Sequence, residues 1–498
     1  MEVNFQKSYC SCLDSVLGEM QSGEQTQEIR LTEGMPDVGR ILAAWGQPIL
    51  RGKEWGTDTV SFTGGMMVWV LYAPEDGSGE RCLEGWIPFQ MRWDLPEDLP
   101  EGKIRLRLLS RLVDARSVSP RKILVRGGLS ALMEAFVPAE IPLFQPESVP
   151  EGVELLKNTY PVRMAKEAGE KAFTVEEALT LPDSAPQPEQ IVYYRADPRV
   201  TDRKVLSEKV VFRGNTALHL LYRSEDGKLR SWDFDLPFSQ YAELAGESGP
   251  DAQADFALCP TGMELELDSE GRLHLKCGIA AQFVITDREQ LELVEDAYSP
   301  GRELTLQTQT QELPVILERR KETMYPEQTV AAEGERVADA LFLPDFPRAR
   351  RGDSGVTLEQ PGVFQLLYYG DDGSLRSGNA RWEGSVNLPS DANAQLTGIP
   401  LPAMPQAALG SGQITLKAEL PLEVTASARQ PQTMVTGLVQ GEARKPDPTR
   451  PSLILRRAGE DSLWEIAKAA NSTVRSIQEA NGLQSEPVPG QMLLIPIP

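Results

Sequence analysis

The chain has 498 residues, with 50 basic and 73 acidic side chains giving a formal charge of −23. That length exceeds a single hydrophobic core and implies three to four domains, while 41% hydrophobic and 25% charged content is ordinary for a globular protein. So large a negative balance sets nucleic acid aside as a partner, and no apolar run approaches the ~20 residues that span a bilayer.

At the N-terminus, Met1 to Lys7 lacks the basic head and apolar stretch of a secretory signal. The five cysteines, Cys10, Cys12, Cys82, Cys259 and Cys277, are odd in number and scattered, unlike the paired framework of a secreted scaffold. With no further Cys or His beside them, Cys10 and Cys12 read as reduced thiols rather than a metal site. A cytosolic protein is the expectation.

A repeat then runs through most of the chain. The apolar strand Met66 to Tyr72 returns as Thr216 to Tyr222 and again as Val363 to Tyr368. Each ends in Leu-Tyr and is followed by an Asp-Gly pair: Asp76-Gly77, Asp226-Gly227 and Asp372-Gly373. Asp-Gly between β-type runs signals a hairpin, because the turn needs positive φ. Ile87-Pro88, Leu236-Pro237 and Leu388-Pro389 form a further shared step. The tyrosines recur roughly 150 residues apart, a period of whole domains rather than of solenoid units.

Each copy also carries a strand of strict alternation: Lys103 to Leu108, Met263 to Leu267, and Gln413 to Ala418. Period two marks half-buried strands of antiparallel sheet. Leu291 to Tyr298 is another strand, broken by Ser299-Pro300-Gly301. The expectation is a mainly β protein: three tandem sandwich or barrel-like repeats spanning 1–145, 150–300 and 301–445, with short helices such as Thr174 to Leu179. Pro142 to Gly152 reads as the first linker, and Pro446 to Pro451 as a stiff spacer.

No sequence motif supplies chemistry. The two histidines, His219 and His274, lie on alternating strands with no nucleophile or carboxylate recognisably arranged around them, and both read as half-buried structural residues. P-loop, G-x-G-x-x-G, H-E-x-x-H and G-x-S-x-G patterns are missing. Arg351-Gly352-Asp353 reads as a solvated loop. Neither an enzyme nor a cofactor is expected.

The last segment, 452–498, is a small α+β module of order strand, helix, helix, strand. Leu453 to Leu455 is apolar, and Ser462-Leu463-Trp464-Glu465 has the form of a capping box. Leu463, Ile466, Ala467 and Ala470 share one helix face; Val474, Ile477 and Ala480 share another. Asn481-Gly482 supplies a left-handed stop, and Gln491 to Pro496 closes as a strand. Trp464, Ile466 and Ile477 read as core.

These residues, from Asp461-Ser462-Leu463-Trp464 through Ala480-Asn481-Gly482-Leu483 to Pro489-Gly490-Gln491, resemble the LysM module. The resemblance implies binding of N-acetylglucosamine polymers through Gly459, Glu460, Asp461, Ser462 and Leu463 on one loop and Asn481, Gly482 and Leu483 on the other. Glu460 departs from the family, which usually has Gly there; a carboxylate narrows the groove. The repeats in turn resemble the SPOCS domain of spore-forming bacteria, most clearly through Val211-Phe212-Arg213-Gly214, His219 to Tyr222, Leu236 to Gln240 and Leu293 to Ala297. The third copy is eroded, with Ser390-Asp391 replacing Phe-Ser-Gln.

Tandem SPOCS copies capped by LysM are similar to SipL-type spore coat morphogenetic proteins. That resemblance implies a non-enzymatic adaptor in the mother-cell cytosol, at the forespore surface. Its partners would be the coat's basement-layer ATPase, bound by the LysM module, and other coat proteins. The alternative is a binder of peptidoglycan or another N-acetylglucosamine polymer in wall or cortex.

Overall fold

The computed structural model describes residues 2–352, 355–389, 393–445 and 450–497. Asp353 of the Arg-Gly-Asp triplet, Ser390-Asp391 of the eroded third copy and Pro446 to Thr449 of the expected spacer lie outside them.

The described residues are mainly β, and the repeat in the sequence is a repeat in space. Each copy opens with a long strand (Phe5–Arg30, Glu154–Leu179, Arg302–Met324). Each closes with a second, antiparallel to the first: Lys122–Pro146, Leu273–Tyr298 and Leu420–Ala443. Between them lies a three-stranded meander. In the first two repeats it is Val38–Trp55, Thr59–Pro74, Arg81–Asp94 and Pro188–Leu206, Lys209–Ser224, Leu229–Glu243. The Asp-Gly hairpins form as expected: Gly77, Gly227 and Gly373 have φ of 70°, 75° and 73°, a region that costs glycine nothing. The shared tyrosine has a tertiary duty, since Tyr72 Oη donates to Pro36 O at 3.1 Å and Tyr222 Oη to Pro186 O at 2.9 Å.

The second half of each middle strand, at 68–72, 218–222 and 364–368, is buried on both faces. Val68, Val70 and Tyr72 point into their own repeat's core with Ile123, Val125 and Met133. Trp69 and Leu71 point the other way, into a core shared with Tyr193 and Leu221 of the second repeat and Leu341 and Leu367 of the third. Trp45 stacks on Tyr193 at 4.9 Å between centroids. Continuous apolar runs, rather than alternating ones, follow from covering both faces.

The repeats close on one another in a triad. Each first meander strand slips register at the same place, between Ile41 and Ala43, Ile191 and Tyr193, and Val337 and Asp339. Such bulges re-aim backbone groups, and at two of the three a neighbouring repeat uses the freed carbonyl. Cys82 Sγ donates to Val192 O at 2.9 Å, and the equivalent Ser377 Oγ donates to Leu42 O. Second and third repeats join through Leu229, whose N–H donates to Tyr369 Oη and whose carbonyl accepts from Arg336, both at 2.9 Å. The long strands agree: Leu13 pairs with Ala165, and Glu2 and Val3 pair with Val439 and Leu438.

The third meander differs for a visible reason. In the first two, the opening strand passes directly over Gly64 and Gly214, where a Cβ would lie 2.3 Å from Ile49 O and 2.0 Å from Arg199 O. The third repeat has Gln360 at that position. Its opening strand is split into Arg336–Pro344 and Arg348–Gly352, both pairing with Gly355–Tyr369, which also pairs with Leu375–Leu388. The buried Gln360 amide donates to Asp345 O in the gap at 2.5 Å.

Three local expectations are corrected. Arg351 and Gly352, read as loop, are exposed strand paired with Val356 and Gly355. Thr174 to Leu179 is strand, not helix: Val175 pairs with Cys277 and Leu179 with Leu273, so a long-range ladder overrides helix-favouring Glu and Ala. Pro142 to Pro146, read as linker, is still strand, paired from Tyr9 to Phe5.

Candidate functional site

The terminal module folds as its sequence implies. Leu453–Arg457 pairs antiparallel with Met492–Pro496, covering α1 (Leu463–Ala469) and α2 (Val474–Asn481). Leu463, Ile466, Ala467, Ile477, Leu493 and Ile495 form its core. The capping box is complete: Glu465 N donates to Ser462 Oγ at 3.3 Å, and Ser462 N to the Glu465 carboxylate at 2.8 Å. That backbone donor holds the Glu465 pKa below the ordinary value. Thr473 caps α2, and Gly482 ends it at φ 64°. Ala480, expected inward, is exposed; the inner link at this end of α2 belongs to Asn481 instead.

The eight loop residues divide by what they already do. Ser462 caps α1, Leu463 belongs to the core cluster, and the partly buried Leu483 packs against it. Asn481 clamps α2 to the last strand, accepting from Leu494 N at 2.7 Å and donating to Leu494 O at 2.6 Å and Ile477 O at 2.8 Å. Asp461 is ion-paired with Arg456. Gly459, Glu460 and Gly482 are exposed, and nothing lies within 4 Å of a Cβ built on either glycine. One residue that sequence reasoning missed ties the two loop regions: the Glu486 carboxylate accepts from Leu463 N–H at 2.8 Å. An acid on a helix N-terminal donor is favourable, but no motif marks a partner 23 residues away.

The module does not hang free. The Trp464 ring packs edge-on against Tyr298 at 4.7 Å between centroids, and its Nε1 donates to Asp296 at 2.8 Å. Lys468 is ion-paired with the same carboxylate at 2.6 Å, and Tyr298 Oη donates to Ser472 O at 3.0 Å. Trp464, expected in the core, is therefore a half-buried anchor on the end of the second repeat's closing strand. On the opposite side, Leu453, Leu455, Met492 and Leu494 are 50%, 63%, 51% and 39% exposed, an apolar face of the two-stranded sheet.

The histidines also differ from expectation. His274 is exposed, beside Asp268 at 2.9 Å. His219 is buried between two carboxylates, with Nδ1 2.7 Å from Asp233 and Nε2 3.0 Å from Asp339 of the third repeat. The second approach lies off the line of a hydrogen bond, so that contact is electrostatic. Burial pushes the imidazole pKa down, but Asp339 and the bond to Asp233 override it and hold it up at about 10. Favoured in its charged form between two carboxylates, His219 serves as a cation at the joint of the second and third repeats. Among the described residues no cluster of His, Cys, Asp and Glu fits a metal ion, and no helix is long and apolar enough to cross a membrane.

Comparison with known proteins agrees with two parts of this picture. Residues 187–261 match the SipL, SPOCS domain, and residues 459–496 match the LysM domain. The first match runs from the start of the second meander into the Gln253–Leu267 strand. No curated protein and no solved structure matches the chain.

Proposed function

We propose that this chain, which carries a SPOCS domain and a LysM module, is a non-enzymatic adaptor of bacterial spore coat assembly. In this reading it works in the mother-cell cytosol at the forespore surface. Its LysM module takes the coat's basement-layer ATPase, and its three repeats take other coat proteins. The observation that carries the reading is the pairing of the two domains in one chain. The exposed apolar face of Leu453, Leu455, Met492 and Leu494 adds support, because such patches on soluble proteins favour protein partners.

A second reading, binding of N-acetylglucosamine polymer such as peptidoglycan, is favoured by the LysM match and by the open space around Gly459 and Gly482. One experiment separates them: the full chain is titrated with purified basement-layer ATPase and, in parallel, with chitooligosaccharide. ATPase binding that weakens at least tenfold in Leu455→Lys, without sugar binding, supports the adaptor. Sugar binding with no affinity for the ATPase overturns it.

A further inference from the structure

A cavity of about 770 Å³ lies where the three repeats meet. On one wall Arg105 and Arg107 of the first repeat are locked to two carboxylates. Arg105 binds Glu134 at 2.6 Å and Asp255 of the second repeat at 2.6 Å; Arg107 binds the same two at 2.7 and 3.3 Å. Two cations and two anions satisfy one another, and this cluster reads as a buried ionic joint.

Arg319 of the third repeat lines the same cavity and is left over. Its Nε is buried and, among the described residues, has no hydrogen-bond partner. Burial pushes its pKa down, Asp255 pushes it up, and Arg105, Arg203 and Arg163 push it down again. Arg319 is half-buried; a buried N–H without an acceptor is costly, and here three further guanidiniums, Arg105, Arg203 and Arg163, act on the same group. Around it the cavity is lined by neutral polar side chains, Gln395, Thr397, Thr425 and Ser427, which can donate to an anion. Of the other charged side chains in the lining, Arg429 is ion-paired with Asp14 and Glu19 is exposed.

We propose that this inter-repeat cavity binds a compact oxyanion, a carboxylate or a phosphate, with Arg319 as the charged fork. The planar guanidinium fits both through paired N–H donors. Because the walls come from all three repeats, the ligand bridges them, and occupancy tightens the triad.

The test uses the full chain, melted in inorganic phosphate, in citrate and in chloride at equal ionic strength, with calorimetric titration of the same anions. Phosphate, citrate or both should raise the melting temperature by roughly 2–4 °C near saturation and titrate as a single saturable site. Which anion acts identifies the source. Arg319→Met should lose the shift and weaken binding at least tenfold, and without anion should melt no lower than the parent, since the group it removes has a buried N–H with no acceptor. Arg319→Lys should retain a reduced shift. No saturable heat with either anion, a shift that survives Arg319→Met, or an anion-free loss of stability in that variant each overturns the site.

Discussion

His219 Nε2 stands 3.0 Å from the carboxylate of Asp339, across the boundary between the second and third repeats. Asp339 is only 3% exposed, so His219→Ala leaves a buried carboxylate without its cation and should cost about 3–5 kcal/mol. The pH dependence has a definite sign. The folded-state pKa is raised from 6.5 to about 10; the contribution is therefore whole below about pH 6.5 and lost as pH rises through about 10. Urea unfolding of parent and variant at pH 6, 8 and 10 should show the gap between them narrowing. A gap constant over that range would mean that the imidazole is neutral.

Gly214→Ala should destabilise by about 1–3 kcal/mol, at the upper end because the obstacle is backbone. The new Cβ would lie 2.0 Å from Arg199 O. Gly18→Ala, in the long strand of the first repeat, is the control; its Cβ meets nothing within 4 Å and should change stability by less than about 0.5 kcal/mol. Denaturation midpoints of the two variants decide the matter, and equal shifts would refute the close strand approach.

Trp464→Ala should undock the module without unfolding it, because Leu463, Ile466 and Ile477 keep its core. The edge-on ring pair with Tyr298 contributes about 0.5–1.5 kcal/mol beyond its area. Hydrogen exchange at Asp296 to Tyr298 should rise, while exchange inside α1 stays slow. Unchanged protection at those three amides would show that the docking contact is not populated in solution.

The thiols should be sluggish. Burial pushes Cys12 up to about 11, Cys259 up to about 11 and Cys277 up to about 12, and raises Cys10 and Cys82 as well. At pH 8 a thiol with pKa near 11 is roughly 0.1% thiolate. Iodoacetamide should therefore leave the native chain almost unmodified over minutes and modify all five cysteines after unfolding. Rapid native labelling of Cys10 would contradict this.

What could be read from the sequence was local chemistry. Asp226-Gly227 announces its own turn, and Ser462 with Glu465 announces a helix start, because the interacting groups lie within a few residues. The partners that decide the rest lie far along the chain. Asp339 is invisible beside His219 in sequence, Asp296 beside Trp464 likewise, and Val175 becomes strand only because Cys277 is waiting for it. One clue to the shared core was available. Strands apolar at every position, such as Val68 to Tyr72, must be covered on both faces, which a string of separate repeats would not provide.

The mutual capture of the repeats also bears on how such a chain can evolve. Stacked solenoids lengthen by duplication, since each new unit finds the same neighbour as the last. A ring admits no such growth: the carbonyl of Leu42 already accepts from Ser377, and the Val439 and Leu438 positions already pair with Glu2 and Val3. An inserted fourth copy would have to break one of these joints before it could make its own.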